Sequence, residues 1–270
     1  MKKGFVFTVV FSLFFLMLLY AAAAYINTLE ARNAALDSAD SGREAYFADD
    51  VGYDYLSVWG MKTSMTRDSR LHWTIEEKIS PSYDVDGAIS SYEDFIANDY
   101  SKANNINAKA ELDRSGELRL EPIGIVYRHS SGNDIEIDGA SEGYFIKAML
   151  GKACAGGCSL AGDWVWGSAG DGPYISLDIL DANGSRVDIM GKTSGYVKLN
   201  GTSSAYANLE NGGGVGITVS GGQFRIGFSN TGADVKTTIT TEGTGPAKVY
   251  APVKLSIGDR KFERIALIEK

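Results

Sequence analysis

Leu71-His72-Trp73-Thr74-Ile75-Glu76 alternates apolar and polar side chains, the period of a strand with one face in a core and the other in water. The chain before it has a different rhythm. Residues 27–56 use strong helix formers, and Ile26, Leu29, Leu36, Phe47, Val51 and Tyr55 recur at steps near three to four residues. Gly42 and Gly52 weaken that helix by about 1 kcal/mol each relative to alanine. The first proline is Pro81, so nothing upstream forces a break. Residues 71–76 therefore lie just after the point, near residue 61, where a helical period gives way to a strand period.

Downstream, Ser80-Pro81-Ser82 ends the first strand run. Asp86 is placed to cap a short helix with Ile89, Tyr92, Phe95, Ile96 and Tyr100 on one face. Strand-like runs then follow at 106–112, 118–128, 134–137, 174–180, 186–190, 195–199, 214–220, 223–228, 235–241, 247–257 and 262–268. Asp181-Ala182-Asn183-Gly184 has the composition of a tight hairpin turn. Residues 139–172, with Cys154, Cys158, Trp164 and Trp166, read as an irregular insertion or a seam between sub-domains. Of 32 glycines, most fall after position 139, and only 5 prolines occur, the balance of many short strands joined by turns.

Upstream, Met1-Lys2-Lys3-Gly4 precedes an apolar run over 5–26 in which Thr8 and Ser12 are the clearly polar residues. As a helix at about 1.5 Å per residue it would reach about 33 Å, enough to cross a hydrocarbon core. Lys2 and Lys3 before the run, and Glu30, Asp37 and Asp40 after it, predict an N-terminus in the cytoplasm and a C-terminus outside. Three readings of this segment stand side by side. It is a cleaved signal peptide using Ala21-Ala22-Ala23-Ala24, a retained signal anchor, or a prepilin-type leader.

The third reading rests on Lys2-Lys3-Gly4-Phe5, which resembles the basic-Gly-Phe junction of type IV pilins and their archaeal relatives. The resemblance covers about residues 2–47. It implies cleavage between Gly4 and Phe5 by a prepilin-type peptidase, with the apolar helix kept and packed among copies of itself in a filament. The bacterial family carries Glu at the fifth mature position, where Val9 stands here, a departure that points to the archaeal type or away from pilins altogether.

The expected fold is α+β and mostly β, with a long N-terminal hydrophobic helix followed by an antiparallel β-sandwich-like extracellular domain. The expected divisions are 1–26 for leader and core helix, 27–60 for a helical stalk, and 61–270 for the β-rich domain.

Composition narrows the function. Hydrophobic residues make up 44%, enough for a sizeable core, and the net charge of −8 is spread with no basic stripe, which argues against nucleic acid. No nucleophile-elbow, zinc-protease or phosphate-loop motif occurs. His72 falls on the solvent parity of its strand and His129 opens a turn, so both read as surface residues. Cys154 and Cys158 suit a small disulfide loop in an exported chain, with free thiols as the alternative, because two further zinc ligands are lacking. Asp181, Asn183 and Asp188 lack the further acids of a calcium loop. Asn183-Gly184-Ser185 and Asn200-Gly201-Thr202 are glycosylation sequons.

The expectation is a non-enzymatic structural subunit of a surface filament, with no cofactor and no metal. Its partners would be copies of itself through the N-terminal helix, the membrane and a prepilin-type peptidase, at the cell surface. The alternative is a single-pass membrane protein with an extracellular binding or adhesion domain.

Overall fold

The computed structural model describes residues 3–104, 106–130, 133–139, 143–154, 159–163, 166–167, 174–189, 196–198, 202–242, 247–262 and 265–267. The chain divides into two compact units, Met1–Ala48 and Asp49–Lys270.

In the first unit the backbone is helical, part of α1 (Lys3–Val58). The fold expected for this region needs correcting. Among the described residues no helix is long and apolar enough to cross a membrane. Side chains are described from Met17 to Arg32, Ala21 apart, and this stretch takes in Asn27, Thr28, Glu30 and Arg32 within two turns of Tyr25. The described apolar side chains run from Met17 to Ile26, short of the roughly 20 residues a span needs.

In the second unit, α1 ends over the core, with Val51, Tyr55 and Leu56 buried and Trp59 just beyond. The strands are β1 (Met61–Arg67), β2 (Leu71–Ile79), β3 (Ala108–Leu112), β4 (Glu117–Glu121), β5 (Ile125–Ser130), β6 (Asp134–Asp138) and β7 (Gly143–Leu150). They continue as β8 (Ser159–Asp163), β9 (Trp166–Gly167), β10 (Tyr174–Leu180), β11 (Asp188–Ile189), β12 (Tyr196–Lys198), β13 (Thr202–Asn208) and β14 (Gly214–Ser220). The last are β15 (Gln223–Ser229), β16 (Ala233–Thr241), β17 (Lys248–Ala251), β18 (Val253–Ile257), β19 (Arg260–Phe262) and β20 (Ile265–Leu267). Helix α2 (Val85–Phe95) runs through a wider turn at Ile96–Tyr100 into α3 (Ser101–Asn104).

A seven-stranded sheet has the order β1-β2-β16-β7-β10-β12-β9, and a ten-stranded sheet the order β11-β8-β13-β14-β15-β6-β5-β4-β17-β20. A third sheet, β19-β18-β3, carries three strands. Strand β2 is buried at Leu71, Trp73, Ile75, Glu77 and Ile79 and open between them, the alternation its sequence predicts.

The sandwich is mixed rather than antiparallel. β10 pairs with β7 in parallel, and β11 with β8 in parallel. Parallel neighbours need a crossover, and the chain between Leu150 and Tyr174 supplies it, placing β8 in the ten-stranded sheet on the way. The stretch read as an irregular insertion is thus a connection between sheets. Asp181-Ala182-Asn183-Gly184 does form a turn, closed by Gly184 N–H to Asp181 O at 2.9 Å. Leu180 bridges Arg186 antiparallel and Val187 N–H donates to Ile179 O at 2.8 Å, so the turn closes a short hairpin before the chain passes to β11 in the other sheet.

The short helix begins two residues earlier than its sequence suggests: the N-cap is Asp84, whose carboxylate accepts from Gly87 N at 3.0 Å. Ile89 and Ile96 are buried while Phe95 is 43% exposed.

Candidate functional site

The residues singled out in the sequence do not converge. Gly4 and Phe5 lie on the backbone of α1, and the Phe5 side chain falls outside the described residues. Cys154 is disulfide-bonded; the chain's other cysteine, Cys158, lies outside the described residues, as do Trp164 and Asn200. Asn183 is exposed in its turn. The Asp181 carboxylate accepts from the backbone N–H of Asn183 at 2.9 Å, Ser185 at 2.8 Å and Cys154 at 3.1 Å. The Cys154 amide, followed by that of Ser185, holds the Asp181 carboxyl below its ordinary range. The carboxylate therefore ties the turn to the chain leading into the disulfide. Among the described residues no cluster of His, Cys, Asp and Glu is arranged to hold a metal ion.

His72 sits as its parity predicts, half-exposed on β2, with Nδ1 3.1 Å from Thr240 Oγ1 and Nε2 3.3 Å from Asp68 Oδ1. His129 does not open a turn. It lies inside β5, 5% exposed, with Nδ1 3.1 Å from Glu77 Oε2. Beside it the Tyr127 hydroxyl donates to Glu77 Oε1. Glu77 comes from β2 of the seven-stranded sheet and the other two from β5 of the ten-stranded sheet, so a polar bridge crosses the sandwich. Trp59 closes one side, its ring centroid 5.3 Å from that of His129 at a tilt of 55°. Thr237 of β16 is fully buried in the same core.

Burial, and then the Glu77 carboxylate, push the Tyr127 phenol well above its ordinary range. A Tyr–Glu–His set is chemically able to shuttle protons, but side-chain exposures of 0% for Glu77 and 6% for His129 deny a substrate access. The cluster is a structural crosslink. Its signal was present in the sequence: Glu77 continues the inward parity of Leu71, Trp73 and Ile75, and His129 that of Ile125 and Tyr127. A charged or titratable residue on an inward parity marks a buried polar group that needs a partner.

On the outer face of the seven-stranded sheet, cross-strand register aligns Lys62, Glu76, Lys236, Lys147 and Asp178. Lys236 Nζ reaches Glu76 Oε1 at 2.8 Å, and Arg186 Nε reaches Asp178 Oδ1 at 3.1 Å. The row borders an open depression of about 430 Å³ with Met149 and Val235 in its lining. No known protein family, no curated protein and no solved structure matches this chain.

Proposed function

We propose that this chain is a structural subunit of a surface filament of the type IV pilin-like kind, assembling through its N-terminal segment. The observation that carries the reading is Lys2-Lys3-Gly4-Phe5 placed directly before the apolar sequence of residues 5–26. A peptidase cutting between Gly4 and Phe5 removes both lysines and leaves an apolar N-terminus with no charge before Glu30 other than the new amino group. Met17, Leu18, Leu19, Tyr20, Tyr25 and Ile26 are 52–80% exposed, an apolar stretch that favours a partner. Each such side chain gains about 1.5–3 kcal/mol on burial. Copies of the same segment provide that burial, the membrane holds the subunit beforehand, and the β-rich unit then lies at the cell surface. Cys154 in a disulfide fits an oxidising exterior.

The test is N-terminal sequencing of the mature protein from its native cells. A chain beginning at Phe5 is expected. One beginning at Met1 or at Tyr25 overturns the reading.

A further inference from the structure

The outer face of the seven-stranded sheet carries excess positive charge in a chain whose net charge is −8. Around the depression of about 430 Å³ stand Lys62, Lys78, Lys147 and Lys236, all exposed, against the carboxylates of Glu76 and Asp234. Glu77 turns its carboxylate inward to Tyr127, and Asp178 is matched by Arg186. Glu76 is taken by Lys236 at 2.8 Å, while Lys62, Lys78 and Lys147 have no ion pair among the described residues. Four amines against two carboxylates leave two in excess. They stand beside apolar side chains: Met149 is 48% exposed, and Phe145, on the same side of β7, is 41% exposed.

A second surface has the opposite character. Residues 80–107 hold Asp84, Asp86, Glu93, Asp94 and Asp99 against Lys102 alone. Arg114 pairs with Asp86 and Glu93, and Asp84 caps α2, so Asp94 and Asp99 are left without a partner among the described residues. Ser91, Asp94, Phe95, Asn98 and Asp99 recur at helical spacing along α2 and the wider turn after it, and all five are exposed. Phe95 is the anomaly on this face. The apolar stripe of its helix predicts burial, yet the ring is 43% exposed, steadied by Tyr92 and Tyr100 at centroid distances of 6.0 and 6.1 Å. An aromatic ring held rigid at the surface has the form of an anchor for a partner.

We propose that the face bearing Asp94, Phe95 and Asp99 in one copy of this chain docks into the lysine-rimmed depression of a second copy. Phe95 covers Met149, and the two free carboxylates meet the lysines that lack a partner. Charge selects the occupant: an excess of two amines beside exposed apolar side chains is matched by two unpaired acids flanking one exposed ring. Within one copy no ion pair among the described residues joins the two surfaces, so both are open to a neighbour. Because the surfaces differ, the contact is head-to-tail and repeats from copy to copy. The proposal rests on the filament reading for bringing copies together, and it adds a contact made by the β-rich unit.

The experiment mixes equal parts of unlabelled and heavy-isotope-labelled full chain in mild detergent at about 100 µM, where contacts of micromolar to sub-millimolar Kd are populated. A carbodiimide joins lysine amines to carboxylates in direct contact, and mass spectrometry reads the linked peptides. Links from Lys62, Lys78 or Lys147 to Asp94 or Asp99 are expected, with light–heavy pairs showing that they run between copies. Lys147→Glu and Phe95→Ala should each reduce the remaining links by about fivefold or more, with thermal melts alongside to confirm the fold. If Phe95→Ala unfolds, Lys147→Glu, a change at an exposed site, decides. Absence of light–heavy links overturns the proposal, as do links unchanged in the variant that decides. Preference for phosphatidylglycerol over phosphatidylcholine vesicles that Lys147→Glu abolishes, with no links between copies, assigns the face to a membrane and also overturns it. The position of the mature N-terminus does not enter this readout, so this proposal and the cleavage at Gly4 fail separately.

Discussion

Glu77 accepts from Tyr127 and faces His129 from the opposite sheet. Replacing it with alanine leaves the Tyr127 hydroxyl in a dry core without its acceptor and removes the carboxylate beside His129 Nδ1. A buried polar group stripped of its partner costs about 1–3 kcal/mol, so Glu77→Ala should lower the unfolding free energy by about 3 kcal/mol or more once its cavity is included. Urea denaturation measures this, and a loss under about 0.5 kcal/mol would contradict the crosslink. Glu77→Gln keeps shape and one acceptor and should fall between the variant and the native chain. The position was legible as an inward-facing acid in an alternating strand. Its partners were not, since Tyr127 lies 50 residues away.

At the scale of elements, the turn between β3 and β4 shows how local chemistry and packing combine. Gly116 has φ +56°, and a Cβ there would lie 2.7 Å from the His129 carbonyl oxygen and 3.0 Å from the Trp59 ring. Strain and overlap act together, so Gly116→Ala should destabilise by about 1–3 kcal/mol. A shifted denaturation midpoint with an unchanged m-value is the expected sign. That Asp113-Arg114-Ser115-Gly116 is a turn was readable from composition. That its glycine supports the floor of the His129 site was not. Likewise the strand at 174–180 is plain in sequence, while its parallel pairing with β7 depends on where the crossover lays it down.

For the whole molecule, buried phenols shape alkaline stability. Tyr55, Tyr92 and Tyr127 are all raised above the ordinary tyrosine value of 10.0, in each case first by burial; Tyr92 also donates to Asp54 at 2.5 Å. The folded chain keeps these protons at pH values where the unfolded chain has lost them. Stability from this source is therefore complete below about pH 10 and declines as pH rises above it. Tyr127, fully buried, contributes a slope of about 1.4 kcal/mol per pH unit there. Tyr127→Phe should flatten the alkaline limb of the stability curve by one proton, as measured by denaturation between about pH 9 and 11. A limb as steep as that of the native chain would contradict the assignment.

The sequence by itself determined the change of period near residue 61, the inward and outward faces of strands such as β2, the short helix after Pro81, and the basic-Gly-Phe start. Each is set by residues a few positions apart, which local sterics and burial periodicity act on directly. Only the tertiary structure decided the mixed sheets, the Glu77–Tyr127–His129 bridge between them, and the row of lysines aligned across the seven-stranded sheet. These depend on which distant strands become neighbours, and that choice is made by closing long loops and by the fit of whole faces, which no local period encodes.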